Sequence, residues 1–147
     1  YGKKHPSGKP WRQVMLEEVG NQLPMARVHF VGKVPYADYL RLLQVSACHV
    51  YLTYPFVLSW SCLEAMSAGG LVIGSRTAPV EEVIEDGVNG RLVDFFDTQT
   101  LAQTVADVLA DPQAQPPLRR QARQTVIERY DLKRVCLPQL MHLIEGL

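Results

Sequence analysis

Ser59-Trp-Ser-Cys-Leu-Glu64-Ala-Met-Ser-Ala-Gly69-Gly-Leu71-Val-Ile-Gly74-Ser75 is the stretch on which the fold turns. Ser59 to Ala68 carries a helical pattern that runs towards Gly69-Gly70, and Leu71 to Gly74 is a short apolar, β-branched run of the kind that forms a buried strand. Outward from it the alternation continues. Val28 to Val31, His49 to Tyr54 and Arg91 to Val93 also read as strands, with helical patterns at Tyr36 to Val45 and Val80 to Ile84. Strands alternating with helices imply right-handed βαβ crossovers and a parallel sheet. The fold class is α/β, a parallel sheet flanked by helices.

The flanks fit one domain spanning 1–147. Tyr1 to Pro10 holds Gly2, Pro6, Gly8 and Pro10 among lysines and reads as a loop or tail. Its start at Tyr1 rather than Met looks like a cut. Val14, Met15, Val19 and Leu23 recur at helical spacing, so Trp11 to Leu23 is expected to be a helix closed by Pro24. Later helices are expected at Thr98 to Ala110, Pro117 to Tyr130 and Leu132 to Ile144, the last kinked at Pro138. Asp111 to Pro117 is linker-like but separates two helices, not two domains.

Composition excludes several classes. A chain of 147 residues with 47% hydrophobic and 20% charged side chains is an ordinary globular protein. Its 15 basic and 15 acidic residues cancel, which argues against nucleic acid as a partner. Cys48, Cys62 and Cys136 form no CxxC pair and sit among apolar neighbours, as small hydrophobes in a reducing cytoplasm do. Val45 to Met66, the most apolar stretch, is broken by Ser46, His49, Pro55, Ser59 and Ser61 and does not read as a membrane span. His5, His29, His49 and His142 have no metal-site spacing and read as structural, with His49 expected to bond to backbone. No metal and no cofactor are expected.

In open parallel α/β sheets, ligands bind beyond the carboxyl ends of the strands. That rule singles out Gly32 to Pro35, Thr53 to Ser61 and Ser75 to Val80. In the second turn Ser59 or Ser61 is placed to cap the following helix, whose N-terminal amides suit a phosphate. The plainer alternative is a cap with Trp60 packed inward. Glu64, one turn into the helix, lies between Leu63 and Ala65 in a segment built for burial, and an unpartnered buried carboxylate is costly. It is either satisfied by backbone amides or available to two vicinal hydroxyls, as on a ribose. Tyr36 and Tyr39 offer an aromatic platform for a base, though at this spacing one of them is expected in the core. Arg119, Arg120, Arg123, Arg129, Lys133 and Arg134, interleaved with Glu128 and Asp131, read as a solvated helix face, with contact to anionic lipid or to another domain as the alternative.

Val28-His-Phe-Val-Gly32, His49 to Tyr54, Leu63-Glu-Ala-Met-Ser-Ala-Gly69, Leu71-Val-Ile-Gly-Ser75 and Glu82-Val-Ile-Glu-Asp-Gly-Val-Asn-Gly-Arg-Leu-Val93 together resemble the C-terminal domain of the retaining glycosyltransferases called family four. The resemblance runs in order from about Val28 to Leu109. It implies the Rossmann-like C-terminal half of a GT-B enzyme, which holds a nucleoside-diphosphate sugar while an N-terminal domain binds a glycan, lipid or small-molecule acceptor. It implies that Glu64 binds the ribose, that Ser59, Trp60 and Ser61 lay amides against the diphosphate, and that Lys33 and Val34 lie beside the base. The donor sugar falls at Phe56, where the family pattern has a glutamate, and Ser59-Trp60 replaces its Gly-Leu pair.

The resemblance also implies two earlier strands and a basic diphosphate residue that the chain lacks. The main catalytic groups are then expected in a missing N-terminal part, and this chain alone is expected to be inactive. The absent strands would lie between Val28 to Val31 and His49 to Tyr54. Either these two close up into a four-stranded sheet, or a second copy of the chain fills the gap by self-association. The location expected is cytoplasmic or peripheral at the membrane. A nucleotide-sugar epimerase of the same fold and a degenerate, non-catalytic partner subunit are the alternative functions.

Overall fold

In a computed structural model, residues 5–54 and 57–146 are described. Where the sequence reads as one domain, the chain groups into two compact units, one ending at Val34 and one beginning at Pro35.

The first unit holds helix α1, Trp11–Val19, followed by single 3-10 turns at Gly20–Gln22 and Met25–Arg27. No residue of α1 is buried. It is held by side-chain contacts instead: the ring of His5 meets Trp11 edge-on at 4.8 Å, the Arg12 guanidinium lies over Phe30, and Lys9 pairs with Glu17 at 2.7 Å. Val28 to Val31 forms no strand, which corrects the sequence reading. Val28 has an extended backbone, but a strand needs a neighbour to complete its ladder, and no described residue pairs with it. The expected four-stranded sheet is therefore replaced by a three-stranded one.

The second unit is the α/β body. Its strands are β1, His49–Tyr51, β2, Val72–Ser75, and β3, Arg91–Val93, in the spatial order β1-β2-β3 and all parallel. His49 pairs with Val72 and Ile73 with Arg91. The connections carry α2, Tyr36–Val45, α3, Trp60–Ser67, and α4, Ala78–Glu81. After β3 come α5, Thr98–Ala110, and α6, Pro116–Tyr130.

Period-two alternation along β2 explains why both faces of the sheet are covered. Val72 joins Leu43, Cys62, Met66, Val80, Ile84 and Ala122 in one apolar cluster, while Leu71 and Ile73 join Val93 and Val108 in another. Burial pushes the Cys62 thiol up to about 12, so it acts as a small apolar side chain. Gly74 and Gly90 are where backbones and side chains approach most closely. A Cβ on Gly74 would stand 2.9 Å from Val80 Cγ1, and one on Gly90 2.8 Å from Ile84 Cγ2.

The last predicted helix is also corrected. Leu132–Cys136 is a π-helical turn, and a separate helix α7 follows at Leu137–Glu145, with Pro138 in its first turn rather than at a kink. Asp131 caps the start of the π-helical turn, its side chain accepting from the amides of Lys133 and Arg134.

Candidate functional site

The carboxyl end of β1 is shorter than its apolar run suggests. At Thr53 the ladder gives way to a buried side chain. Ser75 Oγ accepts from Thr53 N at 3.0 Å and donates to Thr53 O at 2.9 Å, replacing the next pair of strand bonds. Beyond it, Ser59 N donates to the Tyr51 hydroxyl at 2.8 Å, which ties the start of α3 to the end of β1.

Ser59 occupies the N-cap position of α3 with an extended backbone, yet its side chain caps nothing. Its hydroxyl is instead 2.8 Å from that of Ser61. This corrects the expected serine cap, and it corrects the expected role of the Ser59 amide, which Tyr51 already holds. Cys62 N donates to Ser59 O at 3.2 Å, so the amides of Trp60 and Ser61 are the ones without a partner among the described residues. Trp60 does not pack inward either; it is 84% exposed. The helix buries Cys62, Ala65 and Met66 on its other side, so the position of Trp60 on the helix turns the indole outward.

Glu64 is half-buried, and no backbone amide among the described residues satisfies it. Its Oε1 accepts from the Tyr36 hydroxyl at 3.0 Å, a bond that joins the first residue of α2 to α3. That hydrogen bond, with some burial and the carboxylate charge, holds the Tyr36 phenol above its ordinary value. Tyr39 packs against the core, as expected of one of the pair. Its hydroxyl is buried without a partner among the described residues, and burial followed by the Glu64 charge pushes its phenol up as well. Glu64 and Tyr36 line a cavity of about 280 Å³ together with Leu40, Gln44, Ser67, Ala68 and Arg123.

Ser59, Trp60, Ser61 and Glu64 are thus brought together on α3. Lys33 and Val34 close the first unit, next to Gly32, whose φ of 67° gives the turn its left-handed residue. Phe56 lies outside the described residues. At the third turn Arg76 pairs with Asp86 at 3.0 Å and Glu81 at 3.6 Å. Among the described residues no three His, Cys, Asp or Glu side chains are arranged to hold a metal ion.

Two arginines of the late basic cluster do more than face solvent. Arg119 donates to Ser46 O and Ala47 O at the end of α2, and Arg123 donates to Ser67 O at the end of α3. Cations on the last carbonyls of a helix satisfy orphan acceptors and complement its dipole. The four-residue spacing from Arg119 to Arg123 was the signal for a shared face; the carbonyls they reach are distant in sequence.

A parallel sheet with helices on both faces, and a polar helix N-terminus at its carboxyl edge, defines a Rossmann-like ligand-binding body. The chain belongs to the glycosyl transferases group 1 family, whose model matches residues 5–128. Among solved structures it is similar to HepE from Anabaena in complex with UDP, with 24% identity, 93% of this chain and 37% of that one covered, and a TM-score of 0.81. It is also similar to sucrose-phosphate synthase from Thermosynechococcus elongatus, with 26% identity, 99% and 37% covered, and a TM-score of 0.78. The C-terminal domain of a group 1 glycosyl transferase, LpcC of Francisella tularensis, matches with 18% identity, 88% and 67% covered, and a TM-score of 0.68. A comparison with curated protein sequences finds no match. The chain spans a little over a third of the length of the first two structures. Its fold is that of the C-terminal half of a GT-B enzyme.

Proposed function

We propose that the chain is the donor-binding half of a retaining glycosyltransferase that moves a sugar from a nucleoside diphosphate to a glycan, lipid or small-molecule acceptor. The observation that carries this reading is the pairing on α3 of uncapped N-terminal amides with the Glu64 carboxylate one turn later. The amides and the positive end of the helix suit a diphosphate, and the carboxylate suits the two ribose hydroxyls beside it. HepE has been solved with UDP and with UDP-glucose, which supports a donor of the same chemistry.

In this reading the departing diphosphate is stabilised at the start of α3 as negative charge develops on it. An N-terminal domain supplies the acceptor site, and the two earlier strands of the donor-binding domain supply the basic residue that completes the charge balance. The enzyme works in the cytoplasm or at a membrane surface, and this half alone has no turnover.

Glu64→Ala is expected to raise the dissociation constant of UDP at least tenfold, since hydrogen bonds to a charged group contribute about 1.5–3 kcal/mol each. Calorimetric titration measures it. An unchanged constant in a folded variant would remove Glu64 from the ribose site. Turnover of the complete enzyme is expected to persist in excess chelator, because helix-terminal amides stand in for a cation. Activity lost on chelation and restored by a divalent ion would overturn that.

A further inference from the structure

Glu64 is held from one side by a side chain that is itself mostly open to solvent. Tyr36 is the first residue of α2 and is 61% exposed, yet its hydroxyl is fixed on Glu64 Oε1 at 3.0 Å. Tyr39, one turn later, anchors the same helix in the core, with its ring centroid 6.1 Å from that of Tyr36. A tyrosine at the start of a helix is ordinarily free to swing between rotamers. Here the tether holds the ring on the wall of the cavity that Glu64 also lines.

We propose that Tyr36 is a nucleotide-binding residue, its hydroxyl orienting Glu64 towards the ribose and its exposed ring forming the stacking face for the base. The proposal rests on the reading of Glu64 as the ribose acceptor. A carboxylate oxygen has two lone pairs, so Oε1 keeps the phenol as donor and still accepts one sugar hydroxyl, while Oε2 accepts the other. The base lies one glycosidic bond from that sugar, which brings it within reach of a ring tethered to the same carboxylate. An aromatic face stacks on any base, so Tyr36 contributes affinity for the nucleoside without choosing among bases. The raised phenol keeps the hydroxyl protonated, and therefore a donor, through neutral and mildly alkaline pH.

Two substitutions separate the ring from its hydroxyl. UDP and inorganic pyrophosphate are titrated calorimetrically into the parent protein, Tyr36→Phe, Tyr36→Leu and Glu64→Ala, each checked for fold by circular dichroism. UDP affinity is expected to fall about threefold in Tyr36→Phe, which loses only the orienting bond, and about tenfold or more in Tyr36→Leu, which also loses the stacking face. Pyrophosphate, which has neither ribose nor base, is expected to bind all four alike. The proposal is overturned if Glu64→Ala weakens UDP while both Tyr36 variants bind it as well as or better than the parent, the second result meaning that the phenol competes with the ribose. It is equally overturned if the two Tyr36 variants lose the same amount, or if pyrophosphate binding falls in parallel. If Glu64→Ala itself keeps full UDP affinity, the underlying ribose reading fails and takes the proposal with it.

Discussion

His49 opens β1 with its ring Nε2 buried and bonded to nothing among the described residues, although its backbone amide donates to Leu71 O at 2.7 Å. The expectation that this imidazole bonds to backbone was wrong. Burial makes the charged ring costly, and desolvation pulls its pKa below the ordinary 6.5. A basic group depressed by folding binds fewer protons in the native state than in the unfolded chain. Its neutral form is therefore compatible with the fold above about pH 6.5, and stability is lost as the pH falls through that value towards the native pKa. Urea midpoints measured between pH 7.5 and 5 are expected to fall for the parent and to fall less steeply for His49→Phe. Equal slopes would show that this ring does not carry the effect. From sequence the histidine was recognisable as structural, since it begins an apolar run. Whether its ring found a partner depended on which atoms the folded sheet brought to it.

At the scale of elements, the turn from Asp86 to Gly90 shows how a short motif fixes a crossover. Asn89 is buried, and its amide donates to Val83 O at 3.0 Å and to Thr125 Oγ1 at 3.1 Å, while its oxygen accepts from Glu85 N at 2.8 Å. Asp86 accepts from Leu92 N and from Arg76 across the same turn. Removing the amide takes the side-chain partner from Val83 O and Glu85 N and leaves Thr125 Oγ1 with its bond to Gln121 O alone, so Asn89→Ala is expected to destabilise the fold by about 2–4 kcal/mol, measured by equilibrium denaturation. A loss below about 0.5 kcal/mol, the ordinary surface value, would contradict it. This turn was visible in the sequence as part of the ordered Glu82 to Val93 block, and α2 and α5 were legible to the residue because their apolar periodicity and boundaries are local. Val28 to Val31 was not, because a strand is defined by its neighbour. Nor was the π-helical turn at Leu132–Cys136, which opens a stretch whose pattern reads as α-helix from its first residue. The site divides in the same way: Glu64 was readable from its setting among apolar residues, whereas the bond from Tyr36, 28 residues earlier, exists only in the fold.

At the scale of the whole molecule, the last helix leaves apolar surface uncovered among the described residues. In α7, Leu137, Leu140, Met141 and Ile144 recur at helical spacing and are all exposed, and no residue of that helix is buried. β1 pairs only with β2, so one edge of it has no strand partner among the described residues. Both features favour association of the chain with a second copy of itself, but not equally. A three-residue edge offers few free backbone groups, and short edges are a known protection against pairing. A four-residue apolar stripe on one helix face buries far more surface when it meets its own kind. The isolated chain is therefore expected to self-associate through α7, giving particles of at least twice the 16.5 kDa chain mass by light scattering at micromolar concentration. Placing charges in the stripe with Leu140→Glu and Met141→Lys is expected to return it to a monomer, while a strand-disrupting Val50→Pro is not. Association that survives the α7 double substitution would move the contact elsewhere, and a parent chain that stays monomeric as its concentration rises would end the idea of self-association altogether.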